Sequence, residues 1–205
     1  MRRNRASGPA AGFTLVELLI TLVVLGVLLG FGLPALMNLV SHRKVESHAH
    51  NAGSMLQHAR FEALKRGAPA VVALEGRELV AFTDVHGELP TDPPDGFFTP
   101  DGSAPNGTDY VIGRQSVPNG VVMEGPPGDI AGVSGFTNVG SGELRAIFDP
   151  DGSIRDTGAL RMHDRGGNFL EVRVEPQATA RVEVRKWDGS AWRAQGEGGS
   201  TWDWN

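Results

Sequence analysis

The sequence predicts an α+β fold: one long N-terminal hydrophobic helix, apolar in its first half and amphipathic in its second, packed on a mainly antiparallel β-sheet domain. Three observations predict it. Residues 13–40 form a nearly uncharged apolar run, a stripe of small apolar residues at helical spacing follows, and residues 70–187 carry short strand patterns punctuated by Gly and Pro. The averages fit one ordinary domain, with 205 residues, 40% hydrophobic and 21% charged. A formal balance of −5 excludes a surface built throughout to neutralise phosphate backbones. The absence of cysteine excludes disulfide frameworks, thiolate zinc sites, iron–sulfur clusters and cysteine nucleophiles.

The first element is FTLVELLITLVVLGVLLGFGLPALMNLV, whose only ionisable side chain is Glu17. As a helix its 28 residues would span about 42 Å, against roughly 30 Å of bilayer hydrocarbon, so a membrane-spanning helix is predicted over 13–40. Arg2, Arg3 and Arg5 precede it without an acid, which places the N-terminus in the cytoplasm and exports the remainder. A cleavable secretory signal would have a shorter apolar core followed by small residues; here the small residues, Gly8 to Gly12, come first. A plain signal anchor would leave Glu17 unexplained, because a carboxylate within an apolar helix costs roughly 2.5–3.5 kcal/mol at mid-membrane and calls for a cationic partner.

The second element continues the helix. Val45, Ala49, Ala52, Leu56, Ala59 and Ala63 recur at alternating spacings of four and three, and Gly67 with Pro69 supplies a stop, so the helix runs from about Phe13 to Arg66. A stripe dominated by Ala suits close approach to a sheet. His42, His48, His50 and His58 are read as a solvated helix face rather than a metal site.

Strands follow. AVVALE at 70–75 and ELVAF at 78–82 flank Gly76-Arg77 as a hairpin, and a Pro/Gly-rich loop over 89–107 cannot be an interior strand. Short strand signals recur at 110–112, 120–123 and 143–148, with a glycine-rich interruption at 125–142. The clearest alternation lies in 169–175 and 179–187, where Leu170, Val172, Val174, Val182 and Val184 face a core and Glu171, Arg173, Arg181, Glu183 and Arg185 face water. Trp187 and Trp192 flank Asp188-Gly189, a type I′ hairpin signal. Asp149 and Asp151 read as turn residues rather than a calcium loop.

Gly12-Phe13-Thr14-Leu15-Val16-Glu17-Leu18 resembles the processing signal of type IV pilins and type II secretion pseudopilins. The resemblance implies a cytoplasmic leader, residues 1–12, cut between Gly12 and Phe13 by a prepilin peptidase, and N-methylation of Phe13. It implies that Glu17 pairs with the new α-ammonium, its own or a neighbour's, and so sets register during assembly. Pro34 falls where family helices carry a flexible point, and Gly26, Gly30 and Gly32 would let helices approach closely. The segment AIFDPDGSIR at 146–155, then Leu160-Arg161-Met162, Gly166-Gly167 and Leu170 to Val174, is similar to the C-terminal domain of the GspH/FimT family.

No G-x-S-x-G, H-E-x-x-H or G-x-x-x-x-G-K-[ST] occurs, so the chain reads as the substrate of an enzyme and not as an enzyme, with no cofactor or metal required. The resemblance implies a minor pseudopilin of a type II secretion system, whose partners are the prepilin peptidase, other pseudopilins or pilins through the N-terminal helix, and an inner-membrane assembly platform. One alternative is a minor type IV pilin, FimT-like, acting in pilus assembly or DNA uptake; another is a single-pass anchor for a periplasmic binding domain. FimT-type members bind DNA through arginines near a G-R-x-R motif. The matching place reads Ala180-Arg181-Val182-Glu183, and loss of the three leader arginines takes the balance from −5 to −8, so nucleic-acid binding is disfavoured beyond a weak patch at Arg181, Arg185 and Lys186. Trp202 and Trp204, in a glycine-rich terminus, are candidates for docking a partner.

Overall fold

The computed structural model describes residues 13–85, 94–98, 109–140, 142–194 and 197, with the side chains of 32–36 and 38 excepted. Most of the 89–107 loop, Gly12, Trp202 and Trp204 lie outside the described residues. The chain divides into two units at Val40/Ser41. Among the described residues, one helix, α1 (Leu15–Arg66), is followed by ten strands. It ends as the sequence predicts: Gly67 adopts φ +65°, its N–H donates to the Ala63 carbonyl at 2.9 Å, and Pro69 prevents continuation.

The strands are β1 (Ala70–Glu75), β2 (Glu78–Thr83), β3 (Tyr110–Ser116), β4 (Val133–Ser134), β5 (Thr137–Asn138), β6 (Leu144–Phe148), β7 (Gly158–His163), β8 (Phe169–Val174), β9 (Val182–Trp187) and β10 (Trp192–Ala194). They form two antiparallel five-stranded sheets, ordered β3-β2-β1-β6-β5 and β10-β9-β8-β7-β4, in keeping with the mainly antiparallel domain that the sequence predicts. Glycine-rich 125–142, read as an interruption, contributes the edge strands β4 and β5, too short to show any period. Residues 120–123 are not a strand; Val122 makes one isolated bridge to His163.

Within the second unit, the six stripe residues from Val45 to Ala63 are all fully buried. They share a core with Ala70, Val72, Leu79, Ala81 and Phe148 of the first sheet and with Met162, Leu170, Val172 and Val174 of the second. Small side chains allow the close contact: a methyl added at Gly53 would sit 3.6 Å from Val182 and 3.7 Å from Val172. The opposite face of the first sheet carries a second, smaller core, in which Phe82, Val71 and Ile147 lie side by side across three strands with Val80, Val139 and Phe98. Both faces of β1 are therefore covered, which is why AVVALE reads as a nearly continuous apolar run.

Three sequence readings are corrected here. His48 is 1% exposed, its Nδ1 2.8 Å from Gln115 Nε2, and His42 is half-buried with Nδ1 2.5 Å from Asp164; helix α1 is broader in its buried arc than the alanine stripe alone. Glu171 is fully buried rather than solvated, because Arg161 of β7 lies across from it and donates to it at 2.8 Å. The Trp187–Trp192 hairpin closes through four residues, Asp188 to Ala191, and not a type I′ pair, since Gly189 alone among them has positive φ. The Asp188 carboxylate accepts the Ser190 and Ala191 N–H groups and an Arg193 hydrogen bond, and the two indole rings meet edge-on at 5.3 Å.

Candidate functional site

The first residues of the described chain define the site. Phe13 is 75% exposed and stands two positions before Leu15, the first residue of α1. Thr14 is the N-cap. The Glu17 N–H donates to Thr14 Oγ1 at 3.2 Å, while the Thr14 N–H and hydroxyl both donate to Glu17 Oε2 at 3.3 Å. This reciprocal arrangement is a capping box, which satisfies two N–H groups that helix geometry leaves without partners. The spacing Thr14-x-x-Glu17 was available in the sequence as an S/T-x-x-E pattern; attention to the charge of Glu17 obscures its role as a helix starter.

Every side chain from Leu15 to Phe31 is exposed, and apart from Glu17, Thr21, Gly26 and Gly30 each is a large hydrophobic residue. A helix surface apolar all round is unstable against water and requires hydrocarbon or other helices as its surroundings. A methyl added at Gly26 or Gly30 would meet nothing within 4 Å among the described residues. The Thr21 hydroxyl is turned inward to the Leu18 carbonyl at 2.8 Å, which hides its polarity. The helix continues through Pro34, whose side chain lies outside the described set. Among the described residues no helix is long and apolar enough to cross a membrane. Their continuous run of described side chains stops at Phe31, short of the roughly 20 residues that a bilayer core demands.

The basic positions on β9 and at Arg181 just before it are brought together but are interleaved with acids. Arg181, 73% exposed, pairs with Glu183 at 2.7 Å, and Arg185 pairs with Glu183 at 2.9 Å and with Glu175. Burial opposes the charge on Arg185, but its hydrogen bonds to Glu183 and Glu175 outweigh this and raise its pKa. Glu175 is held below the ordinary carboxylate range by its hydrogen bond to Arg173. Lys186 lies on the same strand, opposite Leu170 on β8 and Arg193 on β10. Most of these pairs run along the strand, at spacing two, rather than across the sheet. Among the described residues no group of three His, Cys, Asp or Glu could hold a metal ion.

Elsewhere, sequence reasoning missed a buried ion pair. Arg161 donates to Glu171 and to Asp129 and lies 5.7 Å from the Trp192 ring centre; burial alone would lower its pKa, but the two carboxylates outweigh that and raise it. The signal was weak, since Glu171 occupies a regular outward position in the alternation of β8.

The profile of the prokaryotic N-terminal methylation motif matches residues 9–33, the stretch holding Gly12, Phe13, Thr14 and Glu17. No curated protein and no solved structure matches the chain. The motif is the signal of type IV pilins and pseudopilins, membrane-anchored proteins; it is a prepilin peptidase substrate signal and suggests other pilins as partners. The motif supports a pilin-like class, and the described residues form an α+β fold with two antiparallel sheets.

Proposed function

We propose that the chain is a minor pseudopilin of a type II secretion system, cut by prepilin peptidase between Gly12 and Phe13 and methylated on Phe13. It then acts as a structural subunit of a periplasmic pseudopilus and not as an enzyme. The observation that carries this reading is the methylation motif at residues 9–33, set on a helix whose described first half is apolar on all sides. The 28-residue run of the sequence supports insertion as a single inner-membrane span, N-terminus in the cytoplasm and β-rich unit in the periplasm. After cleavage the α-ammonium of Phe13, or that of a neighbour, pairs with Glu17 and fixes register; Pro34 supplies flexibility in the same helix.

Two features favour the GspH/FimT assignment of the β-rich unit. Ala180 stands where the G-R-x-R motif has glycine, and it is the single non-glycine residue with positive φ (+42°) among those described, so the backbone keeps a glycine conformation there. The Pro150-Asp151-Gly152 turn seats against α1: Arg60 Nε donates to the Gly152 carbonyl at 2.8 Å, and a methyl on Gly152 would lie 3.0 Å from Leu64. The DNA-binding alternative is disfavoured because Glu183 and Glu175 occupy Arg181 and Arg185.

Mass spectrometry of protein isolated from membranes tests the reading. The expected N-terminus is a methylated Phe13; an intact Met1, or cleavage beyond the apolar run, overturns it. Secretion lost on gene deletion, with piliation and transformation intact, separates the pseudopilin from the pilin. Deletion of 196–205 tests whether Trp202 and Trp204 dock a partner, with weakened co-purification as the expected result.

A further inference from the structure

The outer face of the first sheet holds a feature that the pilin-like reading does not use and that stands independently of it. Its small core is sealed by a strap, residues 94–98, whose Phe98 ring meets Phe82 edge-on at 5.5 Å. One residue of the strap, Gly96, is held through both of its backbone polar groups. The Gly96 N–H donates to Asp84 Oδ2 at 2.6 Å, and Arg145 Nη1 donates to the Gly96 carbonyl at 2.7 Å. Gly96 is required there, because its φ is +87° and a methyl would collide with Val139 at 2.7 Å. The Arg145 guanidinium also lies 4.3 Å over the Phe97 ring and pairs with Glu143.

Asp84 follows β2 and is fully buried. Its Oδ1 has no hydrogen-bond partner among the described residues. An ionised carboxylate with one oxygen orphaned in a buried site is costly. Two further carboxylates bear on it. Asp109, at the start of β3, accepts the Val85 N–H at 2.9 Å, and Asp95 belongs to the strap itself. Arg145 binds the Gly96 carbonyl, which belongs to the next peptide unit, with Glu143 as its partner, and the Asp84 N–H is bonded to the uncharged Pro69 carbonyl. We propose that Asp84 is a proton-controlled clasp, which in its neutral form fastens the 94–98 strap over Val71, Val80, Phe82 and Ile147 and on ionisation loosens it. Burial, reinforced by the charges of Asp109 and Asp95, pushes the Asp84 carboxyl up to about 7, despite the opposing backbone hydrogen bonds of Gly96 and Asp95, so the change falls near neutrality.

The sign follows from linkage. A carboxyl that binds its proton more tightly in the closed state than in the open state favours closure at low pH. Closure weakens as pH rises from the ordinary aspartate value towards 7 and levels off above it. Hydrogen exchange on the full chain in detergent micelles reads this at the Gly96 and Phe98 amides, corrected for intrinsic exchange, with Leu170 and Val172 of β8 as references. Protection is expected to fall about tenfold per pH unit between pH 5 and 7, then flatten, while the references stay constant. Asp84→Asn should abolish the dependence, and Asp109→Asn should keep the step but move its midpoint down. Protection at Gly96 and Phe98 that is independent of pH in the wild type overturns the proposal. So does a wild-type profile retained in Asp84→Asn, or an unmoved midpoint in Asp109→Asn, which decides the matter even if Asp84→Asn does not fold.

Discussion

From Leu15 to Phe31 every side chain of α1 is exposed, whereas the stripe from Val45 to Ala63 on the same helix has no exposed surface. The first stretch is rich in Leu and Val, the second in Ala. Hydrophobicity alone would place the larger residues inside, and the opposite arrangement shows that α1 answers to two different environments. Large side chains exposed among the described residues suit an apolar surrounding rather than water. Small ones are matched to a sheet that must come close. The two stretches should therefore respond differently to the same kind of change.

The strongest test concerns the β-rich unit. Arg161→Met leaves Glu171 fully buried without its principal cation and should cost about 3–5 kcal/mol of unfolding free energy, read by denaturant titration of the full chain in detergent. Pairing it with Glu171→Leu should recover much of that loss, because both charges then disappear. If Arg161→Met costs no more than the double substitution, the interior ion pair has no structural weight. A closer comparison places one substitution in both halves of α1. Leu56→Ala removes a fully buried side chain and should cost about 2–5 kcal/mol, while Leu22→Ala should change the stability of the β-rich unit by less than about 0.5 kcal/mol. Equal effects would erase the distinction between the two stretches.

These differences also explain what the sequence reveals. The helix end at Gly67, the alanine stripe, the β1–β2 hairpin and β8–β9 were readable because each depends on local periodicity or on a turn residue. The division into two sheets was not, since it depends on which strands pair after long connections. Edge strands β4 and β5 are two residues each and carry no alternation. Glu171 misleads because its position in the alternation looks outward and Arg161 makes its burial tolerable; His48 misleads by its polarity, since it lies three residues after Val45 and four before Ala52, at the edge of the buried stripe, with Gln115 as its partner. In the processing segment the residues were legible from the motif, but Glu17 drew attention as a charge. Its hydrogen bonds with Thr14 depend on where the helix begins, which composition does not specify.

That double role of Glu17 yields the smallest and most discriminating prediction. Thr14→Val keeps the shape of the side chain but removes the oxygen that accepts the Glu17 N–H, at a cost of about 0.5–2 kcal/mol confined to the first turn. Exchange should quicken at the Leu15–Leu18 amides, with the unfolding midpoint of the β-rich unit unchanged, and Thr14→Ser should restore protection. Glu17→Gln separates capping from charge, because glutamine completes a capping box as well as glutamate does. The first turn should remain protected and Gly12–Phe13 should still be cut, yet assembly should fail if the carboxylate is needed for the α-ammonium. Normal assembly of Glu17→Gln would assign Glu17 to starting the helix alone; failure with an intact first turn would assign its charge to the contact between subunits.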